Sequence, residues 1–280
     1  MHVKRYRSAR VVVAATAILG LSFAPTSVRI LGLRAGVPAL AAGACQPPNH
    51  GWAGWENGSS TTWGASAWVV TCIPSFCTGG NPLGGSDLIT AYSMVFASQT
   101  NNYAQAGYTI SPGQSLPYTY GEFTYPGHCQ PSGSCTSLYT TTNDGDNYQY
   151  WENYNPLAKE IYMYQGYGNG LVVELANTPY DPADSSNSTY WWGNAWYSEY
   201  SGENINPQDD MPGTAAKKAT FTSVNYEPTL DNGNEPPTTL TGLTSHQAFS
   251  DEQTYWCVQM VNSTAFNLWT NGGCPPGTPS

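Results

Sequence analysis

Beyond residue 34 the chain contains no arginine, and its only lysines are Lys159, Lys217 and Lys218. All nineteen acids lie after residue 44, so residues 45–280 carry a net charge of −16 within an overall −10. A surface this poor in cations cannot neutralise a phosphate backbone, which excludes nucleic acid as a partner and argues against an anionic membrane surface. After residue 24 there is no apolar run near the roughly 20 residues needed to span a bilayer. Also missing are a C-x-x-C pair, an H-E-x-x-H helix, a G-x-S-x-G elbow and a phosphate-cradling glycine loop. Those gaps remove the usual marks of zinc sites, serine hydrolases and nucleotide enzymes. The short acidic turns at Asp144–Asn147 and Asp181–Asp184 fit no twelve-residue calcium loop. No metal and no cofactor is expected.

What is present begins with a basic start, an apolar run over residues 11–24 and small residues at 39–44. This is the pattern of a secretory signal peptide over 1–44, implying an extracellular, secreted mature protein with no membrane in that form. Export permits disulfides, and the spacing of Cys72 with Cys77, Cys129 with Cys135, and Cys257 with Cys274 suggests three close pairs. Cys45 is left over. Residues 45–84 read as an N-terminal extension, or a pro-segment, holding a first strand. Residues 85–280 read as the main domain.

Tyr, Trp, Thr and Val dominate that domain, 29 Gly and 21 Pro punctuate the chain, and no long stretch has helical periodicity. Strands are expected over 65–72, 89–97, 103–110, 118–125, 161–167, 171–175, 191–200, 219–226 and 254–261. The Gly168-Asn169-Gly170 turn makes 161–175 a hairpin. The fold class is all-β, a two-sheet antiparallel β-sandwich of the jelly-roll or concanavalin A-like kind. Residues 46–64 look like a loose end, and the Pro/Thr-rich 227–242 looks like a loop feeding a last strand.

The remaining chemistry is carboxylates and amides on aromatic strands. Side chains alternate across a strand, so Gln105 shares a face with Tyr103 and Gly107, and Glu199 shares one with Tyr197 and Ala195. A carboxylate on such a face is partly desolvated, which raises its pKa and suits it to acid or base work.

The order of these segments resembles the glutamic peptidases of the eqolisin family, and more distantly neprosin-type enzymes. Ala91-Tyr-Ser-Met-Val-Phe96 is similar to that family's early core strand. Ala104-Gln105-Ala106-Gly107-Tyr108 matches its catalytic-glutamine strand, and Tyr125-Pro126, Glu199, Met211-Pro212 and Phe221-Thr222 follow in the family's order. Tyr92 stands where the family commonly has Trp, the Gly-Asp turn after the early strand is replaced around Ala97-Ser98, and Tyr200 follows Glu199 where an acid is usual, so Glu203 rivals Glu199. The resemblance implies an acid-active endopeptidase taking a polypeptide substrate, without metal or cofactor; a monomer is expected. Glu199 would be the general base and Gln105 the oxyanion donor, with Tyr92, Glu122 and Tyr197 lining the cleft.

Two readings from other classes stay open. A glycan-binding module of lectin type would need exposed coplanar aromatics. A glycoside hydrolase would need Glu122 beside Glu199 as paired carboxylates.

Overall fold

The computed structural model describes residues 51–57, 62–73, 88–97, 99–129, 133–204, 212–213, 216–230, 236–237 and 256–270. The expected leader, Cys45, Cys77, Cys274 and most of 227–242 lie outside these. Among the described residues there are thirteen strands and no helix, arranged as two open antiparallel sheets, which is the all-β sandwich expected.

The first sheet runs β1 (Gly51–Asn57), β10 (Trp196–Asn204), β3 (Ile89–Ala97), β4 (Asn102–Ile110), β5 (Tyr118–Thr124) and β6 (Ser134–Thr141). The second runs β12 (Trp256–Asn262), β13 (Ala265–Thr270), β11 (Ala219–Glu227), β2 (Gly64–Val70), β7 (Asn147–Asn155), β8 (Glu160–Gly166) and β9 (Val172–Asn177). Small side chains at Ala65, Ala67, Ala91, Ala104 and Ala106 interleave between the sheets with Tyr108, Tyr150, Tyr154, Trp196, Tyr200 and Phe221. Each large ring so buried contributes about 1.5–3 kcal/mol of hydrophobic stabilisation. That inner packing turns the alternate residues of β3, β4 and β10 outward, where the candidate site lies.

The hairpin forms as its turn residues dictate. β8 pairs with β9, Gly166 opposite Val172, and Gly170 takes φ +84° in the connection. Elsewhere the sequence reading is corrected. Residues 51–57 are not a loose end but β1, paired along its whole length with β10. β10 starts at Trp196 rather than residue 191, because the Trp191 and Trp192 amides bond back to Asn187 and Pro182 and Gly193 turns at φ +89°. β6, β7 and β13 were not expected.

Cys129 and Cys135 are joined across the β5–β6 connection, Cα atoms 5.2 Å apart. Cys72 overturns its expected pairing: it is a buried free thiol at the end of β2. Its backbone amide donates to the Tyr108 hydroxyl, 3.0 Å away, which fixes it beneath the inner face. Cys257 is disulfide-bonded, its partner lying outside the described residues.

Candidate active site

Residues directly opposed in an antiparallel pair share a face of the sheet. The first sheet's register therefore lines up one outward row across six strands: Glu56, Glu199, Met94, Gln105, Glu122 and Thr136. The neighbouring row is Gly54, Ser201, Tyr92, Gly107, Tyr120 and Leu138. Glu199 and Gln105 stand on the same face two strand spacings apart, roughly 10 Å along the row. Met94 lies between them and is only 5% exposed.

Glu199 is 7% exposed and held by two donors. The Tyr92 hydroxyl donates to its Oε1 at 3.1 Å and the Ser201 hydroxyl to the same oxygen at 2.7 Å. Both bonds described for this carboxyl go to Oε1, which leaves Oε2 for a water or a substrate group. Burial pushes the Glu199 pKa up to about 7, against the two hydrogen bonds, and the nearby charges of Glu203 and Glu56 add to the rise. The carboxyl is thus neutral in acid and poised to gain or lose a proton near neutrality.

Gln105, also 7% exposed, donates from Nε2 to the Tyr120 hydroxyl at 3.0 Å, which fixes the amide plane and leaves the second amide hydrogen for another acceptor. Gly107 keeps the floor between Tyr92 and Tyr120 low: a Cβ there would meet the Ala91 carbonyl oxygen at 2.0 Å.

Three further expected residues have distinct places. Tyr92 is buried and is the phenol that holds Glu199. Tyr197 is half-buried on the same face of β10 as Glu199, its ring 5.0 Å from that of Phe96. Half-buried Glu122 accepts from the Tyr103 hydroxyl at Oε1 and from the Thr136 hydroxyl at Oε2, so its oxygens are already used in tying β4, β5 and β6 together. Burial raises its pKa as well, against those two hydrogen bonds.

The glycosidase pairing is corrected here. Glu122 and Glu199 are three strand spacings apart, about 14 Å, too far for the roughly 5–5.5 Å of a retaining pair or the roughly 6.5–9.5 Å of an inverting one. Glu203 faces the same side, farther along β10 opposite Thr90, and not in the row with Gln105.

Sequence reasoning missed Glu56, Ser201 and Tyr120. Ser201 and Tyr120 were reachable from period-2 spacing on β10 and β5; Glu56 was not, because β1 itself went unrecognised. The acidic turns hold their own loops: Asp144 accepts from Ile73 N and Lys217, Asp146 from Asn143 and Tyr148, Asp181 from Tyr154 and Ala183 N. Among the described residues no three metal-binding side chains cluster, and no helix is long and apolar enough to cross a membrane.

No protein-family model and no curated protein sequence matches the chain. Among solved structures, scytalido-glutamic peptidase bound to a peptide-based transition-state analogue matches with TM-score 0.53 and 13% identity, over 80% of this chain and 100% of that one. SCP-B, a member of the eqolisin family of peptidases in complex with the tripeptide Ala-Ile-His, matches with TM-score 0.53 and 12% identity over the same shares. At such identity the likeness is one of fold, and in fold the chain resembles the eqolisin glutamic peptidases.

Proposed function

We propose that the chain is a secreted glutamic endopeptidase that hydrolyses peptide bonds on the outer face of its first sheet. The observation that carries this reading is the placement of Glu199 and Gln105 on one face, with both hydrogen bonds described for Glu199 made at Oε1. A water between Oε2 and the substrate gives its proton to Glu199 as its oxygen bonds to the peptide carbonyl carbon. The free Gln105 N–H meets the negative charge that develops on the carbonyl oxygen. When the C–N bond breaks, Glu199 returns the proton to the leaving nitrogen. Tyr92, Tyr197 and Glu122 border the substrate. The scheme calls on no metal or cofactor.

The acidic working range also belongs to this reading, and there only the minor ionised fraction of Glu199, whose pKa burial raises to about 7, acts as the base. Export by the 1–44 leader, action outside the cell as a monomer and kinship with neprosin-type enzymes rest on the sequence. β2 sits inside the second sheet, so removal of residues 45–84 would take out two strands. An activating cut ahead of Gly51 leaves all thirteen described strands in the chain.

The test is digestion of an unfolded protein from pH 2 to 8 by the purified chain. Glu199→Gln should lower kcat/KM by about 10³, within the usual reach of acid–base groups. Gln105→Ala should lower it by about 10², as loss of one oxyanion donor does. Unchanged cleavage in both folded variants would move the site elsewhere. No cleavage at any pH by the folded chain would remove the enzymatic reading and leave glycan binding to be assayed.

A further inference from the structure

The row that contains Glu199 does not end there. Glu56 on β1 is directly opposite it, on the same face, at the next strand. Opposed residues of an antiparallel pair bring their Cβ atoms to about 4.5–5.5 Å, a spacing that two glutamate side chains on one face can bridge. Glu56 is 8% exposed and Glu199 7%. Two carboxyls this close and this little hydrated cannot both ionise cheaply, because each charge is desolvated and each repels the other. The three lysines beyond residue 44 are engaged elsewhere, Lys217 with Asp144, Lys218 with Gln259 and Lys159 near Asp181.

We infer that Glu56 is a positioning residue of the site, its carboxyl sharing a single proton with Glu199 across the β1–β10 register, so that the working form is the singly charged pair. This deepens the peptidase reading and rests on it. In the working form the shared proton rests on Glu56 and the charge on Glu199, which is the base. Through the reaction Glu56 neither gains nor loses a proton overall. The proton taken from water travels by Glu199 to the leaving nitrogen.

The electrostatics of the surroundings agree. Burial raises Glu56, and the charge of Glu56 is one of the causes that raise Glu199. The other titratable groups facing the pair are Glu203, also on β10, and the phenols of Tyr92 and Tyr197. Burial and Glu199 hold both phenols above their ordinary range, so they stay neutral throughout the working pH. The pair therefore titrates in two macroscopic steps that belong to neither residue alone. Catalysis by the singly charged form gives a bell, with an acid limb where the pair first ionises and an alkaline limb where it loses its last proton.

The decisive experiment is a carboxyl titration by carbon NMR of the Glu-labelled full chain, in the wild type, Glu56→Gln and Glu199→Gln, with kcat/KM profiles on an unfolded protein alongside. Sharing predicts two wild-type steps more than about one pH unit apart. Each single variant should show one step lying between them. Glu56→Gln should retain cleavage, because the amide still donates to Glu199, and should lose the alkaline limb. A wild-type curve equal to the two single-variant curves combined would overturn the shared proton, as would an alkaline limb unmoved in Glu56→Gln. If no form cleaves protein, the peptidase reading fails while the titration still decides the pair.

Discussion

Tyr92 and Ser201 do more for Glu199 than border it: each donates a hydrogen bond to the same oxygen, and each bond favours the ionised carboxylate. Removing a donor therefore moves the Glu199 pKa further upward. Tyr92→Phe and Ser201→Ala should each raise it by about one unit, since a hydrogen bond to a charged group is worth about 1.5–3 kcal/mol and one unit is about 1.4. The acid limb of kcat/KM should move up by the same amount, and a limb that stays put would show that these hydroxyls do not sense the charge. Met94 is the other residue that matters at this scale. It occupies the row between Glu199 and Gln105, and nothing in Ala91-Tyr-Ser-Met-Val-Phe96 marked it as more than core. Gln105 and Glu199 were legible because short motifs in a fixed order pointed to them. Glu56 was not, because its meaning comes from a register between strands far apart in the chain.

At the scale of elements, the strands that could be read from sequence were those rich in aromatic and β-branched residues between clear turn signals, such as β3, β4 and β8. β7 escaped because Glu152, Asn153 and Asn155 are buried in it, which breaks the hydrophobic alternation that marks a strand. β6 escaped for the opposite reason: it is an edge strand, mostly exposed, of Ser and Thr. β1, with two glycines in seven residues, has little strand propensity and is held by its pairing to β10. Glycine is a requirement in β4, where Gly107 lies against the β3 backbone. Gly107→Ala should force β3 and β4 apart, lowering stability by about 3 kcal/mol in urea unfolding. At Gly168 an added Cβ would have nothing within 4 Å, so Gly168→Ala is the matched control and should change little. Equal stability of the two variants would contradict the close approach.

For the whole molecule, buried carboxyls set the pH at which the sandwich is firmest. Burial raises Glu56, Glu122, Glu152 and Glu199 above their ordinary value. A carboxyl whose folded pKa is raised binds its proton more tightly in the native state than in the unfolded one. Its contribution is then fully present below the unfolded value, about 4.5, and is lost as pH rises through the folded value. For Glu199 that window runs from about 4.5 to about 7, a loss of about 3 kcal/mol. Glu152 extends the loss to higher pH. It is fully buried between the sheets, accepts from the Ser93 hydroxyl at 2.9 Å and has its Oε2 without a hydrogen-bond partner among the described residues. In acid the opposing force is weak, because residues 45–280 offer only three lysines and three histidines to carry positive charge, whereas toward neutrality their net charge reaches −16. The melting temperature should therefore be highest in mild acid and fall steadily from about pH 5 to pH 8. Glu152→Gln keeps the neutral shape without the ionisation, so it should flatten the upper part of that fall and melt above the wild type at about pH 8. A wild type that melts higher at about pH 8 than at about pH 5 would mean that these carboxyls ionise in the fold at little cost.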